Sequence, residues 1–325
     1  MTPEQQFVPP PGLKGPHVQS ILASARFRAG GSHAMHEAAR VQILETGEGV
    51  RLQGFYSPQS QQLQKGLVLL LHGWEGSAES TYVKTTGRYL FDQGYSIFRL
   101  NLRDHGDSHH LNRGLFFGTL FDEVFEAAAQ AAGLAENGRF FVAGFSLGGN
   151  YALRIAREHA RRSIPQLCHV AAVSPVIDPM GATNRADLTL LYRYYFLKKW
   201  KRSLMRNQEL YPELYDFSDL MSHQTILGLT AALLPRCSPF TDPETYFDSY
   251  TLTNDALVDI AAPTTIVTAE DDPLIPVADF YNLQRNDLTG LIVHAHGGHN
   301  GFIANYRLNA WYEQALDRIF ERYCG

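Results

Sequence analysis

In the run Arg139–Asn150, RFFVAGFSLGGN, a short apolar segment meets a serine with glycines two residues to either side. A helix-like segment, Tyr151–Ala156, follows at once. A serine at such a strand–turn–helix junction sits on a strained backbone with its hydroxyl projecting above the sheet edge. Gly144 and Gly148 leave room for strand and helix to approach closely. The helix beginning there also directs unpaired N–H groups and the positive end of its dipole at any anion formed beside Ser146. A G-x-S-x-G match arises by chance in roughly one chain in ten of this length, so the flanking elements carry the inference. The chemistry they suggest is nucleophilic attack on a carbonyl. A serine hydroxyl needs a base within hydrogen-bond reach, itself oriented by an acid.

Two later stretches supply both. Ala269–Pro276 reads AEDDPLIP, a carboxylate-rich loop beyond a strand-like run, and Gly297–Phe302 reads GGHNGF. Ser146, Asp272 and His299 satisfy the chain order serine, acid, histidine. Asp272 is preferred over its neighbours because the ring of Pro273 holds the following turn extended. Glu270 and Asp271 read as solvated loop acids. Asp178, after the strand ending near Val173, is the competing acid. His294 and His296 fall in the last strand pattern and read as packed or solvated side chains. A metal reading of His294, His296 and His299 lacks a carboxylate or cysteine at a familiar spacing. For the oxyanion, the expected donors are the backbone N–H of Leu147 and that of Trp74, in the His72-Gly73-Trp74 loop. The Trp74 indole either walls the pocket or fills a gap beneath a cap.

The elements that must position these residues follow from the apolar pattern. Gly66–Leu71 and the run before Ser146 are continuous apolar stretches, as expected of strands buried on both faces, and Tyr95–Leu100 reads as a second such strand. Further strands are read at His169–Val173, Thr264–Thr268 and Leu291–His296. Helices are read from near Ser80, over Phe121–Ala132, and from Asn305 to Tyr323. Arg40–Glu45 and Val50–Tyr56, separated by Gly47-Glu48-Gly49, form an edge hairpin. This alternation predicts an α/β fold with a mostly parallel central sheet and helices on both faces. Residues 1–179 and 256–325 make the core, with residues 1–40 as an N-terminal strap. In that strap the prolines Pro9-Pro10-Pro11 force an extended course, and His17–Leu22 reads as a short helix with one apolar side. Residues 180–255 break the rhythm and read as a helical cap inserted over the C-terminal strand ends. Gln59–Gln64 reads as a polar loop.

The totals bound the partners. The chain has 325 residues, 45% of them apolar, and a formal net charge of -5, which gives no general attraction to nucleic acid. Three scattered cysteines support neither a disulfide framework nor a thiolate site. The beginning, with Glu4 and prolines, is unlike a signal peptide, and no run is long and apolar enough to span a membrane. A soluble, cytoplasmic protein is expected.

With these residues in place, the chain resembles the bacterial YheT-like hydrolases and related animal ABHD esterases and lipases, a branch of the α/β-hydrolases. The matching stretches are the strap Phe7–Leu22 with its His-x-Gln-Ser pattern, His72–Ser77, Asn101–Gly106, Gly144–Asn150, Asp271-Asp272-Pro273 and Gly297–Phe302. The resemblance implies an α/β-hydrolase fold with a carboxylic ester hydrolase activity, Ser146, Asp272 and His299 as catalytic residues, and no cofactor or metal. Asp104 stands where the family usually has glycine, and Trp74 where a smaller aliphatic residue is common. Animal relatives often carry an N-terminal membrane anchor, which is not expected here.

The expected substrate is a small-molecule ester. An acyltransferase using the same acyl-enzyme and a non-catalytic binding scaffold are the alternative readings. The segment Lys198–Arg206 is basic without an acid. Contact with anionic lipid is one reading of it. The negative net charge and the shortness of the segment favour the other, a solvated face whose apolar side, Leu197, Trp200 and Leu204, packs on the core.

Overall fold

Apolar residues at every position along a strand require cover on both faces, and in the computed structural model, which describes residues 7–60 and 64–324, the sheet receives it. In chain order the elements are α1 (Pro16–Ala23), α2 (Ala34–Glu37), β1 (Arg40–Thr46), β2 (Val50–Ser57), β3 (Gly66–Leu71), α3 (Thr81–Asp92), β4 (Tyr95–Leu100), α4 (Phe121–Ala132), β5 (Phe140–Phe145), α5 (Leu147–Glu158) and β6 (Leu167–Val173). There follow α6 (Pro179–Leu188), α7 (Leu190–Leu210), α8 (Ile226–Cys237), α9 (Pro243–Asp248), β7 (Thr264–Ala269), α10 (Val277–Tyr281), β8 (Thr289–His294) and α11 (Trp311–Glu321).

Eight strands form one sheet in the order β1-β2-β4-β3-β5-β6-β7-β8. The β1–β2 and β2–β4 pairs are antiparallel and the remainder parallel. Leu67, Leu69 and Leu71 of β3 face a core shared with α4 and α5. Val68 and Leu70, alternating with them, face a second core shared with α3 and α11. From β3 the chain crosses by α3 to β4 on one side, then returns by α4 to β5 on the other. The loops leaving β3 and β5 therefore diverge from adjacent strand ends, the place where open α/β sheets present their ligand crevice.

The interval between β6 and β7 is helical. Asp178, Thr225 and Asp242 cap α6, α8 and α9 by accepting from backbone N–H groups in their first turns. Within α7, Leu197 and Leu204 are buried as expected. The basic residues are not one solvated face, however. Lys199 donates to the Glu75 carbonyl, Lys201 Nζ donates to the Met221 and His223 carbonyls at 2.8 and 2.6 Å, and Arg206 pairs with Asp107 at 3.2 Å. Lys198 and Arg202 stay exposed.

Other expectations are revised. The last strand ends at His294, so His296 lies in the following loop. The closing helix begins at Trp311 rather than Asn305, because Leu308 takes a left-handed φ of 63° and Ile303 bridges Ala310 across the turn. The strap helix α1 buries its polar side, Gln19 and Ser20, and turns Val18 and Ile21 outward. The beginning of the strap, including Glu4, and residues 61–63 of the polar loop lie outside the described residues.

The β5–α5 junction is the tightest contact in this frame. A Cβ on Gly144 would sit 2.0 Å from the Gly148 carbonyl oxygen, and one on Gly148 would sit 2.3 Å from that of Leu71. Both obstacles are backbone, so neither can move alone. Gly148→Ala is expected to cost at least about 3 kcal/mol. Gly290→Ala in β8, where the new Cβ would meet nothing closer than 3.8 Å, is expected to be close to neutral. Urea unfolding of both variants checks the difference, and equal midpoints would refute the packing argument.

Candidate active site

Ser146 occupies the junction with φ 55° and ψ −119°, a conformation costly for a residue with a Cβ. Its backbone is held from three sides. The N–H donates to Val173 O at 3.0 Å, and the carbonyl accepts from Asn150 and Val176 N–H at 3.1 and 3.2 Å. The hydroxyl then lies 2.9 Å from His299 Nε2, and His299 Nδ1 lies 2.9 Å from Asp272 Oδ2. With Nδ1–H donating to the carboxylate, Nε2 is free to accept the serine proton. Asp272 Oδ1 accepts from Leu274 and Ile275 N–H at 2.8 and 3.0 Å. The turn past Pro273 thus fixes the carboxylate by direct hydrogen bonds. The Asp272 side chain is fully buried and that of His299 is 11% exposed, so their mutual attraction is little screened by water.

The three residues expected to act together are brought together, and their rivals are elsewhere. Asp178 Oδ1 accepts from Gly181 N at 2.9 Å as the cap of α6. His294 is buried against Trp311, ring centroids 4.3 Å apart, and accepts from Phe7 N at 3.4 Å. Asp271 corrects the reading of a solvated loop acid. Its Oδ1 accepts from Gly298 N at 2.8 Å and its Oδ2 lies 3.3 Å from His296 Nδ1. It therefore staples the loop before His299. Glu270 is exposed and accepts from Tyr281 OH at 3.2 Å. The three histidines considered as metal ligands thus have three separate settings.

The His299 loop is also clamped by α1, through residues not assigned a role from the sequence. Ser20 Oγ accepts from His299 N at 2.8 Å and donates to Pro16 O at 2.7 Å. Gln19, fully buried, accepts from Ile303 N and donates to Leu13 O, both at 2.6 Å. The fit is close enough that a Cβ on Gly298 would lie 2.3 Å from Pro16 O. The His-x-Gln-Ser pattern was the visible signal. Its spacing alone does not say that the polar side turns inward.

On the opposite side of Ser146, the loop after β3 abuts its side chain. A Cβ on Gly73 would lie 3.0 Å from Ser146 Cβ. Among the described residues, no protein acceptor takes the N–H of Trp74 or of Leu147. The Trp74 ring stacks on Phe196 and meets Trp200 edge-on, both at 5.3 Å between centroids, so α7 crosses directly above it.

Two buried histidines tie this loop to the one after β4. His72 Nε2 accepts from Leu102 N at 3.1 Å, and His105 Nε2 accepts from Glu75 N at 3.0 Å. Accepting requires neutral rings, and burial drives the pKa of His72 down to about 4 and that of His105 well below its ordinary value. Beneath α7, Glu75 and Asp104 line one small cavity with Trp200 and Asn207. Asp104 has a left-handed φ of 56°, which explains why glycine suits the position, and its Oδ2 accepts from Phe116 N at 2.8 Å. Asp104 Oδ1 and Asn207 Oδ1 are buried acceptors with no donor among the described residues. A proton on Asp104 would relieve the first of them. Burial raises the pKa of Asp104 to about 7 and that of Glu75 to about 8, Asp104 adding to the latter and Lys199 opposing it.

Comparison with known proteins agrees with this architecture. A model of the alpha/beta hydrolase family matches residues 68–311. A Synechocystis sp. protein named "Putative esterase slr0264" is 26% identical over 287 residues, 81% of this chain and 77% of that protein. Among solved structures, the Pyrococcus furiosus esterase Pf2001 superposes with a TM-score of 0.58 at 17% identity, covering 91% of this chain and 95% of that one. The serine hydrolase CCSP0084 from Cycloclasticus zankles gives 0.54 at 16% identity, over 88% and 97% of the respective chains. At such identities the likeness is one of fold.

The carboxyl pair makes a prediction for stability. An acid whose pKa is raised by folding holds its proton longer in the folded state, so the unfolded chain ionises first as pH rises. For Glu75 the loss of stability begins above its ordinary value of 4.5 and is complete above about 8. For Asp104 it runs from 3.8 to about 7. Between about pH 6.5 and 8, where the buried histidines are neutral in both states, the urea midpoint is expected to fall, and the fall to be smaller in Glu75→Gln and in Asp104→Asn. Variants whose midpoints fall as steeply as wild type over that interval would contradict the assignment.

Proposed function

Because this chain belongs to the α/β-hydrolase family, we propose that it is a serine hydrolase that cleaves carboxylic esters through an acyl-enzyme intermediate. The observation that supports this most directly is the unbroken relay from Asp272 through His299 to Ser146, two bonds of 2.9 Å. His299 Nε2 accepts the Ser146 proton as Oγ attacks the acyl carbonyl. Asp272 holds the imidazole in the required tautomer and stabilises the imidazolium that forms. The charge on the tetrahedral oxygen is met by the N–H groups of Leu147, at the start of α5, and of Trp74, in the β3 loop. His299 then returns its proton to the departing alcohol. Water, deprotonated by the same nitrogen, attacks the acyl-enzyme, and the acid leaves with Ser146 restored. Every step is assigned to a residue of the chain.

Residues 180–255 act in this reading as a cap. Trp74, Phe196 and Trp200 form an aromatic cluster under α7, and such a wall favours an apolar acyl group over a charged one. The three cysteines are free, in keeping with a reducing compartment, and we place the protein in the cytoplasm.

Ser146→Ala is expected to lower kcat on p-nitrophenyl esters by about 10⁶-fold, and Asp272→Asn by about 10⁴-fold through loss of the tautomer. A fluorophosphonate should label wild type and not Ser146→Ala. Loss of less than tenfold in the serine variant would sink the mechanism. Ser20→Ala, which removes one hydrogen bond to the His299 backbone, is expected to lower kcat about tenfold with little change in KM. Ser20→Thr, which keeps the hydroxyl, should restore most of it. A change in KM alone would show that Ser20 does not position the histidine.

A further inference from the structure

Large apolar side chains stand in solvent on the outer side of the helices that frame the site. At the α6–α7 junction Leu188 is 84% exposed and Leu190 71%, and Tyr194 on the next turn is 67% exposed. Val18 and Ile21 of α1 are likewise outward, and α1 is joined to α7 where His17 Nδ1 meets Tyr192 OH at 2.9 Å. Large apolar side chains left exposed close together mark a surface that another apolar phase can cover.

The same outer face becomes basic one turn further on. Leu191, Tyr194, Lys198 and Arg202 succeed one another at intervals of three and four residues, and Lys198 Nζ lies 5.6 Å from the Tyr194 ring centroid. No acid occurs between Thr189 and Gln208. Lys199 and Lys201 donate to backbone carbonyls and Arg206 pairs with Asp107, and Lys198 and Arg202 are the exposed cations on this stretch of α7. On its inner side the same helix places Phe196 on Trp74, beside the nucleophile. The exposed face is therefore the outside of the roof over Ser146.

We propose that this face, formed by α1, the α6–α7 junction and the first half of α7, docks on an anionic lipid bilayer. The leucines enter the acyl boundary, the tyrosines lie at the level of the headgroups, and Lys198 and Arg202 meet lipid phosphates. Charge decides against a second copy of the chain as the occupant. A twofold interface sets a patch against itself, and the stretch from Thr189 to Gln208 offers Lys198 and Arg202 no acid to meet. The docking is independent of the ester-hydrolase reading. That esters dissolved in the membrane would then reach Ser146 rests on it.

The test is cosedimentation of the full chain with vesicles of phosphatidylcholine alone or with about 30% phosphatidylglycerol, at about 0.1 M and about 0.5 M NaCl. Binding is expected to the anionic vesicles at the lower salt, at least about tenfold weaker in Leu188→Glu/Leu191→Glu and weaker at high salt. Lys198→Glu/Arg202→Glu should lose the salt-sensitive part. All four positions are outside the catalytic machinery, so hydrolysis of a soluble short-chain ester should be unchanged in both variants. That separates failure of docking from failure of the hydrolase reading. The proposal is overturned if wild type binds neither vesicle at the lower salt, or if the leucine double variant binds as well as wild type. It is equally overturned if those substitutions instead abolish a dimer of a chain that ignores vesicles.

Discussion

A helix can begin immediately after β5 because two glycines let backbone touch backbone where a Cβ would intrude. Gly144 lies under the Gly148 carbonyl, and Gly148 lies against the end of β3. This approach forces Ser146 into its left-handed φ, at a cost of about 1–3 kcal/mol. The cost is offset by the burial of α5, ten of whose twelve residues are buried. The strain therefore persists because the surrounding packing over-determines it. It also aims the hydroxyl away from the sheet and toward the loop that carries His299.

The other half of the site is fixed by hydrogen bonds rather than by apolar packing. The loop before His299 is short, glycine-rich and without regular structure, and loops of that kind are mobile unless tied down. Asp271 ties its start, Ser20 ties the histidine backbone, and Gln19 ties its end. Burying a polar side chain is favourable only if its partners are met. The inward polar face of α1 and the orphan N–H groups of the histidine loop satisfy one another. Removing either would leave the other buried and unpaired, which makes the N-terminal strap part of the site although it is far away in sequence.

What could be read from the sequence follows from this division of labour. The strands β3 and β5 were legible because they are buried on both faces and carry no polar interruption, and β4 and β7 because Ser96, Arg99 and the threonines of β7 interrupt them without breaking their largely apolar or β-branched run. Ser146, Asp272 and His299 were legible because each follows a strand end in a fixed chain order. The inversion of α1 was not. Amphipathic periodicity says that a helix has two sides, and the usual inference puts the apolar side inward. Val18 and Ile21 point outward because the surface that α1 meets is a row of backbone donors and acceptors. Asp271 was missed for a related reason. A carboxylate in a polar loop has no spacing signature for a partner 27 residues on, and its neighbours Glu270 and Asp272 show that adjacent acids in one loop can be exposed, half-buried or fully buried. Glu75 and Asp104 are brought into one cavity by the convergence of two loops, which no local pattern encodes.

The two walls of the crevice also differ in how firmly they are held. In α7 four of twenty-one residues are buried, Tyr192, Leu197, Leu204 and Asn207, against ten of twelve in α5. Beyond the contacts of Phe196 and Trp200 with Trp74, its remaining fastenings are largely polar: Lys199 to the Glu75 carbonyl, Lys201 to two carbonyls near α8, Ser203 to Asp104 O at 3.3 Å and to His109 at 2.8 Å. Polar bonds at a half-wet boundary exchange for bonds to water at little net cost, whereas pulling α5 from the sheet would expose a continuous apolar face. Local opening draws on the elements with the least buried apolar area. The free-energy gradient across the site therefore runs from a densely packed floor, which holds Ser146 in its strained turn, to a roof with less buried apolar area to hold it.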